Sequence, residues 1–204
     1  MPGSPYSRLD RPPLNVAALR RALIEPGGLW SALEMRDQTV STNADVIEAA
    51  RLGAAEGLVV VAERQTGGRG RLGRPWLSPA RAGLAVSALL RPPVPPSRYG
   101  WLPLLAGVAL ATVVRRLGEL DAVLKWPNDL LVAGAGGTGR KVAGILCEAA
   151  PDGSVVVGIG LNVTLAEEEL PTPGATSLAL AGSACTDRDP LLRALLRELA
   201  GGYR

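Results

Sequence analysis

The sequence contains no histidine and only two cysteines, Cys147 and Cys185, among its 204 residues. Without histidine, the Ser-His-Asp and Cys-His classes of nucleophile are excluded, together with most zinc chemistry. The two cysteines do not have the spacing of metal ligands, so a disulfide scaffold and a zinc finger are excluded as well. We therefore expect neither zinc nor haem, and the scarcity of cysteine favours a reducing, cytoplasmic location.

Long apolar runs and an excess of one charge are also lacking. No run of 18 uncharged apolar residues occurs, so we expect no membrane span, and residues 1–11 lack the apolar segment of a signal peptide. The net charge is only +3, without a long basic run, although the pI is about 9.2. The 47% of hydrophobic residues suffices for a core and predicts one domain, with at most a small appendage.

Lysine is the rarest charged residue in the chain. Of 22 basic residues only Lys125 and Lys141 are lysines, and all the others are arginines. A position that remains lysine in such a chain indicates a need for a compact ammonium group rather than a planar guanidinium. Carboxamides are scarce too, and most of them fall in the same short segments as the lysines or in segments of similar character: Asn43, Gln65, Asn128 and Asn162.

Patterns of apolar residues predict a mixture of helices and strands. We expect a flexible arm over residues 1–13 and a folded domain over 14–204. Helices are predicted at 14–24, 44–55, 101–117 and 190–199, the second after a capping box at 42–45. Strands are predicted at 33–40, 58–62, 84–90, 122–125, 130–132, 142–149 and 154–163. Because Pro151-Asp152-Gly153 predicts an antiparallel hairpin, an α+β fold is favoured over a doubly wound parallel sheet.

Residues 65–76 form a loop with four glycines and three arginines. Glycines allow backbone N–H groups to approach an anion, and the arginines concentrate positive charge, so we expect a loop that becomes ordered when an anion binds. It is not a P-loop, because the sequence GxxxxGK followed by Ser or Thr is absent. Residues 68–73 match GxGxxG, but Pro75 stands where a helix should follow. An RNA-binding Arg/Gly tract and a plain solvated loop are the alternatives.

Three further segments carry polar groups beside strands. In Lys125-Trp126-Pro127-Asn128-Asp129, the carboxylate enters an apolar strand, which is unfavourable unless the group is paired or binds a metal ion. Asp129 is therefore predicted to bind a metal ion, to orient an amine or to cap a turn. Gly144, near Lys141, predicts close approach of a ligand or another backbone, and Asn162 follows two glycines on the partner strand. Packing alone is the alternative for those glycines.

Taken in order, these segments resemble biotin protein ligases over about residues 37–178. The matching pieces are Ser41-Thr42-Asn43, Glu63-x-Gln65-Thr66-x-Gly68-Arg69-Gly70-Arg71-x-Gly73-Arg74-x-Trp76, Lys125-Trp126-Pro127-Asn128-Asp129, Gly139-Arg140-Lys141-x-Ala143-Gly144-Ile145-Leu146-x-Glu148 and Gly158-x-Gly160-x-Asn162. The resemblance implies the fold shared with class II aminoacyl-tRNA synthetases, a mainly antiparallel sheet flanked by helices. It also implies a two-step reaction, in which biotin and MgATP form biotinyl-5′-AMP and a lysine of a biotin carboxyl carrier domain then takes the biotinyl group.

The resemblance also assigns roles to residues. Biotin-binding residues are expected at Ser41, Thr42, Asn43, Gln65, Gly68, Arg69, Gly70, Arg71, Lys141, Gly144, Ile145 and Leu146. ATP-binding residues are expected at Arg69, Arg71, Arg74, Trp76, Lys125, Asn128, Lys141 and Asn162. Catalytic residues are expected at Lys141, Arg71, Asp129 and Asn128, with Asp129 also the candidate ligand for Mg²⁺.

The chain departs from the family pattern in two respects, and two alternative functions are open. About 36 residues precede the matching region, too few for the winged-helix DNA-binding domain of repressor members, so DNA binding is not expected. The C-terminal SH3-like β-barrel of the family is expected to be absent, which raises the alternative of a truncated biotin-binding core without full ligase activity. A lipoate or octanoate ligase or transferase on the same fold is the other alternative. No residue pattern distinguishes a monomer from a homodimer.

Overall fold

The structure is a computed structural model that describes residues 11–133 and 139–204. Most of the predicted arm lies outside these ranges, as do residues 134–138. Arg11, at the start of the first range, is only 4% exposed and donates to the Thr164 carbonyl and the Glu169 carboxylate, each at 2.6 Å. The last residues assigned to the arm therefore pack against the domain.

The described residues form one seven-stranded sheet in the order β1-β2-β3-β7-β6-β5-β4. The strands are β1 (Ala32–Arg36), β2 (Leu58–Ala62), β3 (Gly83–Leu90), β4 (Ala122–Lys125), β5 (Asp129–Ala133), β6 (Gly139–Ala149) and β7 (Val155–Asn162). The first two strands run parallel, and each other neighbouring pair in this sheet is antiparallel. The predicted α+β class and the β6–β7 hairpin are therefore confirmed.

Four α-helices lie within the described ranges: α1 (Val16–Leu23), α2 (Thr42–Arg51), α3 (Leu102–Gly118) and α4 (Arg188–Tyr203). The first, third and fourth helices pack on one face of the sheet and enclose the main core, whereas α2 covers a smaller core on the other face. The last helix is longer than predicted at both ends, and the Asp187 side chain caps it by accepting from the Asp189 N–H.

One helical segment among the described residues, Pro96–Gly118, is long and apolar enough to cross a membrane by length and composition alone. Within it, Leu110, Val113 and Val114 are fully buried in the main core. Helix α3 packs along α4 and the sheet, as the core helix of a globular domain does.

Strand register determines which residues share the face beneath α2. Ser87 of β3 lies opposite Gly158 of β7, and Gly160 of β7 lies opposite Gly144 of β6. Because side chains alternate between the two faces of a strand, these four residues lie on the same face. Ile145 lies on the opposite face and packs in the main core. The sheet therefore presents a floor of three glycines to the α2 side.

Candidate active site

A cavity of about 660 Å³ lies above this glycine floor, within the range of about 300–1,000 Å³ that is typical of small-molecule sites. It is enclosed by the start of α2, the loop 65–76, the turn after β4 and the segment 171–175. Its lining includes nearly every site residue predicted from the sequence: Ser41, Thr42, Asn43, Gln65, Arg69, Gly70, Arg71, Arg74, Trp76, Lys125, Asn128, Asp129, Lys141, Gly144, Ile145, Leu146 and Asn162.

Gly68 is the predicted site residue that does not line the cavity. It lies beneath the loop, where its carbonyl accepts from the Trp76 N–H at 2.8 Å. A Cβ on Gly68 would lie 2.7 Å from both Gln65 Nε2 and the Trp76 carbonyl oxygen. The glycine is therefore required by the fold of the loop.

The start of α2 faces the cavity, and it differs from the predicted capping box. Ser41 is the N-cap, with an extended backbone and a side chain 3.5 Å from the Ala44 N–H, so the helix begins at Thr42 rather than at residue 44. The Asp45 carboxylate accepts from the Thr39 hydroxyl at 3.0 Å and does not close a capping box. As a result, the Thr42 N–H lies in the first turn and donates to Gln65 Oε1 at 2.8 Å.

Asn43 borders the cavity, and its carboxamide bonds to three groups of the protein. It is 6% exposed, and Nδ2 donates to the Leu146 carbonyl at 3.2 Å and to Glu148 Oε2 at 2.6 Å. Its Oδ1 accepts from the Ser87 hydroxyl at 2.6 Å. A Cβ on Gly158 would overlap this oxygen, so Gly158 makes room for Asn43. Asn43 therefore braces the start of α2 against β3 and β6, and its contact with biotin stays a prediction.

Trp76 lies over the other two glycines of the floor. A Cβ on Gly160 would overlap the indole ring, and one on Gly144 would lie 3.1 Å from it. Lys141 Nζ lies 5.7 Å from the centre of a Trp76 ring, within reach of a cation–π interaction. The groups that approach these glycines are side chains from distant parts of the chain, which agrees with the packing alternative for Gly158 and Gly160.

The rest of the cavity is strongly basic. Among the described residues that line it, five are basic and one is acidic: Arg69, Arg71, Arg74, Lys125 and Lys141 against Asp129. Asp129 is not a lone carboxylate, because Lys141 Nζ lies 2.6 Å from its Oδ1. No group of three or more His, Cys, Asp or Glu side chains suited to a metal ion occurs in the parts of the chain that the structure describes.

The arginine loop is folded by its own backbone. The Gly70 N–H donates to the Arg74 carbonyl at 2.7 Å, and a short 3₁₀ turn covers Arg71–Gly73. No helix follows this turn, so the GxGxxG match is not a dinucleotide-binding motif. The arginine side chains at 69, 71 and 74 are exposed.

The main chain of Lys141 is held by a segment that the sequence does not single out. The Lys141 N–H donates to the Gly174 carbonyl and the Thr176 N–H donates to the Lys141 carbonyl, each at 2.8 Å. Asn162, which is 3% exposed, in turn donates to the Thr176 carbonyl at 3.0 Å. Pro171, Thr172 and Ala175 of this segment line the cavity, and its irregular sequence gives no signal of that position.

The turn after β4 is tied to β6 by Asn128. Its Nδ2 donates to the Ile145 carbonyl at 2.8 Å, and its own carbonyl accepts from the Ile145 N–H at 2.9 Å. The Ile145 side chain packs on the far face, near Gly107 of α3. Ile145 therefore contributes its main chain to the cavity lining, and its contact with biotin stays a prediction.

The chain is similar to a known protein family and to several known proteins. The model of the biotin/lipoate A/B protein ligase family matches residues 37–164. The biotin–[acetyl-CoA-carboxylase] ligase of Mycobacterium tuberculosis is 46% identical over 194 residues, which cover 93% of this chain and 70% of the relative. The bifunctional ligase/repressor BirA of Bacillus spizizenii is 35% identical over 83% of this chain, which spans about half (53%) of that relative.

Solved structures agree with these matches. The biotin protein ligase from Aquifex aeolicus in complex with biotin and ATP superimposes with a TM-score of 0.70 at 32% identity, covering 85% of this chain and 71% of that chain. The biotin protein ligase from Leishmania major in complex with biotinyl-5-AMP gives a TM-score of 0.68 at 25% identity, covering 83% of this chain and 73% of that chain.

Proposed function

The chain belongs to the biotin/lipoate A/B protein ligase family, and from that premise we propose that it joins biotin to a carrier lysine using ATP. The resemblance drawn from the sequence segments is confirmed by this membership. The ligase function rests on relatives that are named as biotin ligases and on solved complexes of such enzymes with biotin, ATP and biotinyl-5-AMP.

The proposed reaction has two steps. In the first, an oxygen of the biotin carboxylate attacks the α-phosphorus of ATP, and the bond to the bridging oxygen breaks, which gives biotinyl-5′-AMP and pyrophosphate. In the second, the lysine amine attacks the acyl carbon and loses a proton, while AMP leaves with the electrons of the broken carbon–oxygen bond. Both steps depend on positioning and on charge, and neither requires a protein nucleophile.

The observation that carries this proposal is the contrast within one cavity. Thr42 at the start of α2 and Gln65, which is bonded to it, offer neutral polar groups, whereas the five basic side chains belong to the loop 65–76, the end of β4 and β6. A cyclic urea is neutral and polar, whereas a carboxylate and a triphosphate are anionic, so biotin and ATP match these two sets of groups. Cys147 does not compete as a nucleophile, because burial raises the pKa of its thiol to about 12.

Lys141 is the proposed catalytic cation. Its ammonium group is partly exposed in the cavity lining, 2.6 Å from Asp129 Oδ1 and 5.7 Å from the centre of a Trp76 ring. From there a compact, mobile charge can follow the negative charge as it moves from the carboxylate to the phosphate. Arg69, Arg71 and Arg74 are proposed to hold the phosphates, with Lys125, Trp76, Asn128 and Asn162 at the nucleotide.

Magnesium is proposed to arrive with ATP. Mg²⁺ is commonly held by one or two carboxylates together with substrate phosphates. Asp129 supplies one carboxylate in the described lining, and it would have to exchange Lys141 for the metal ion. Asp129 therefore remains a proposed ligand, and its second proposed role is to orient the attacking amine.

The proposed partner is the biotin carboxyl carrier domain of a biotin-dependent carboxylase. The name of the Mycobacterium relative specifies acetyl-CoA carboxylase as the protein on which it acts. The proposal for this chain covers ligation, and neither DNA nor membrane binding forms part of it. The cytoplasm, where ATP and such carriers occur, stays the predicted compartment.

Pyrophosphate release tests the proposal directly. The chain would be incubated with MgATP and biotin, lipoate, octanoate or no acid, and mass spectrometry would identify the acyl adenylate. We expect release with biotin alone and a product with the mass of biotinyl-AMP. Release with lipoate or octanoate instead would favour the sister enzymes of the family, and biotin binding without any release would indicate a binding core without chemistry.

A further inference from the structure

A line of hydrogen-bonded groups leads from the partly buried Glu148 to the cavity. Glu148 Oε2 lies 2.6 Å from Asn43 Nδ2, and Asn43 Oδ1 lies 2.6 Å from Ser87 Oγ. Ser87 Oγ lies 2.7 Å from Thr42 Oγ1, and Thr42 lines the cavity. Ser87 is fully buried and Thr42 is 4% exposed, so the protein rather than water sets their hydrogen bonds.

The orientation of the Asn43 carboxamide follows from the groups that face it. The Glu148 carboxylate and the Leu146 carbonyl are both acceptors, so the side facing them must be the Nδ2 donor. Oδ1 is thereby directed at Ser87. The reverse orientation would place an oxygen against two other oxygens, without a proton between them.

The number of available protons then determines how the hydroxyl groups of Ser87 and Thr42 are oriented. The single Ser87 proton must lie between Ser87 Oγ and Asn43 Oδ1, because Oδ1 has no proton of its own. Ser87 Oγ must therefore accept at 2.7 Å from the Thr42 hydroxyl. Because the single Thr42 hydroxyl proton is used in this shorter bond to Ser87, it is not available to Gln65 Oε1, which lies 3.1 Å from Thr42 Oγ1 and accepts from the Thr42 N–H at 2.8 Å. The Thr42 proton thus points away from the ligand.

We propose that Glu148, acting through Asn43 and Ser87, is a positioning residue that makes Thr42 Oγ1 a hydrogen-bond acceptor for an N–H group of the ligand. The inference rests on the proposed function and adds its selectivity. The cyclic urea of biotin carries two N–H donors, whereas the ring of lipoate and the chain of octanoate carry none. A fixed acceptor at Thr42 therefore favours biotin over the other acids of the family.

Calorimetry with the full chain tests this relay through a preference between two ligands. The probes are biotin and the two lactam analogues in which one or the other urea N–H is replaced by CH₂. We expect the wild-type chain to bind biotin about tenfold more tightly than the analogue that lacks the N–H facing Thr42, which is the usual effect of one hydrogen bond. A general loss of stability would weaken both ligands alike and leave this ratio unchanged.

Three variants and a control separate the relay from ordinary packing. Ser87→Ala should reduce the preference to about twofold or less, because the Thr42 proton becomes free to rotate toward the ligand. Glu148→Leu removes the nearer of the two acceptors that orient Asn43 and leaves the Leu146 carbonyl, so it should reduce the preference to an intermediate value. Glu148→Gln should retain most of it, since a carboxamide oxygen can still accept from Asn43. Ser154→Ala removes another buried hydroxyl, 1% exposed and bonded to Asp152, and should retain the full preference.

Different results would overturn the relay alone or the proposed function as well. A full preference in both Ser87→Ala and Glu148→Leu, or its absence from the wild-type chain that binds biotin, would overturn the relay and leave the proposed function standing. No binding of biotin by the wild-type chain would overturn both. If Ser87→Ala does not fold, Glu148→Leu decides the matter, because Glu148 is only partly buried.

Discussion

The two ends of the cavity are built in opposite ways. At the α2 end, Thr42, Asn43 and Ser87 are buried and bonded to one another. At the loop end, the side chains of Arg69, Arg71 and Arg74 are exposed and form no hydrogen bond or ion pair with any residue that the structure describes. The neutral end is therefore organised before a ligand arrives, whereas the charged end offers cations that an anionic ligand would satisfy.

The largest expected effect is at the charged end. Lys141→Ala should slow biotin-dependent pyrophosphate release about 100- to 1,000-fold, because it removes the cation proposed to stabilise the negative charge as it moves from the biotin carboxylate to the phosphate. Biotin affinity, set mainly by the α2 end, should change much less. Initial rates and calorimetry on the same preparations measure the two quantities.

Lys141→Arg is the matched control for this prediction. It retains a positive charge but replaces the compact ammonium with a planar group beside the Trp76 ring, so we expect an intermediate rate. A rate for Lys141→Ala close to that of the wild-type chain would show that the catalytic charge lies elsewhere.

The glycine floor should respond next, and chiefly in stability. Gly160→Ala would place a methyl group inside the Trp76 ring, so we expect a loss of about 1–3 kcal/mol in the free energy of unfolding, with weaker binding of biotin. Gly100→Ala is the control, because a Cβ there meets open space and its φ is not positive. Urea unfolding measures the free energy of unfolding of both variants, and equal losses in the two would contradict the packing explanation.

The sequence predicts the local features of this fold better than the long-range ones. The strand at 58–62 agrees with β2 at both ends, and the turn at Pro151-Asp152-Gly153 joins β6 to β7 as predicted. Both signals lie within a few residues of the structure that they specify. The start of α2 was misplaced, because Ser41 caps the helix and Asp45 bonds to Thr39 instead.

The same difference between local and long-range features holds for the candidate site. Residue types in the short segments identify nearly the whole lining, since scarce lysines and carboxamides mark it. The same segments give no indication that Asn43 is bonded to Ser87 and Glu148, because that contact depends on the register of β3, β7 and β6. The support of Lys141 by residues 174–176 depends on a chain reversal that no local pattern specifies.

A smaller effect is expected from the arginine loop. Arg71→Gly should leave the free energy of unfolding within about 0.5 kcal/mol of the wild-type value, because the side chain is exposed. Loss of one charge-assisted hydrogen bond should let biotinyl-AMP dissociate about tenfold faster or more. The adenylate would be formed on the enzyme, and rapid filtration would then measure the rate at which it is released.

Arg71→Ala separates the lost charge from the added freedom of glycine. Similar release rates in the two variants would assign the effect to the guanidinium group. Tighter retention of the adenylate by either variant would contradict the role of the loop as a closure over the phosphates.

The smallest effect is expected from the Lys141–Asp129 pair at the charged end. Its side chains are 35% and 24% exposed, so Asp129→Asn should change the free energy of unfolding by less than about 1 kcal/mol despite the 2.6 Å separation. Salt screens exposed ion pairs. In urea unfolding at low and high ionic strength, the difference in free energy of unfolding between Asp129→Asn and the wild-type chain should therefore shrink as salt rises. A larger, salt-independent loss would mean that this carboxylate is part of the organised end of the cavity rather than of the charged end, which its exposure and its single ammonium partner argue against.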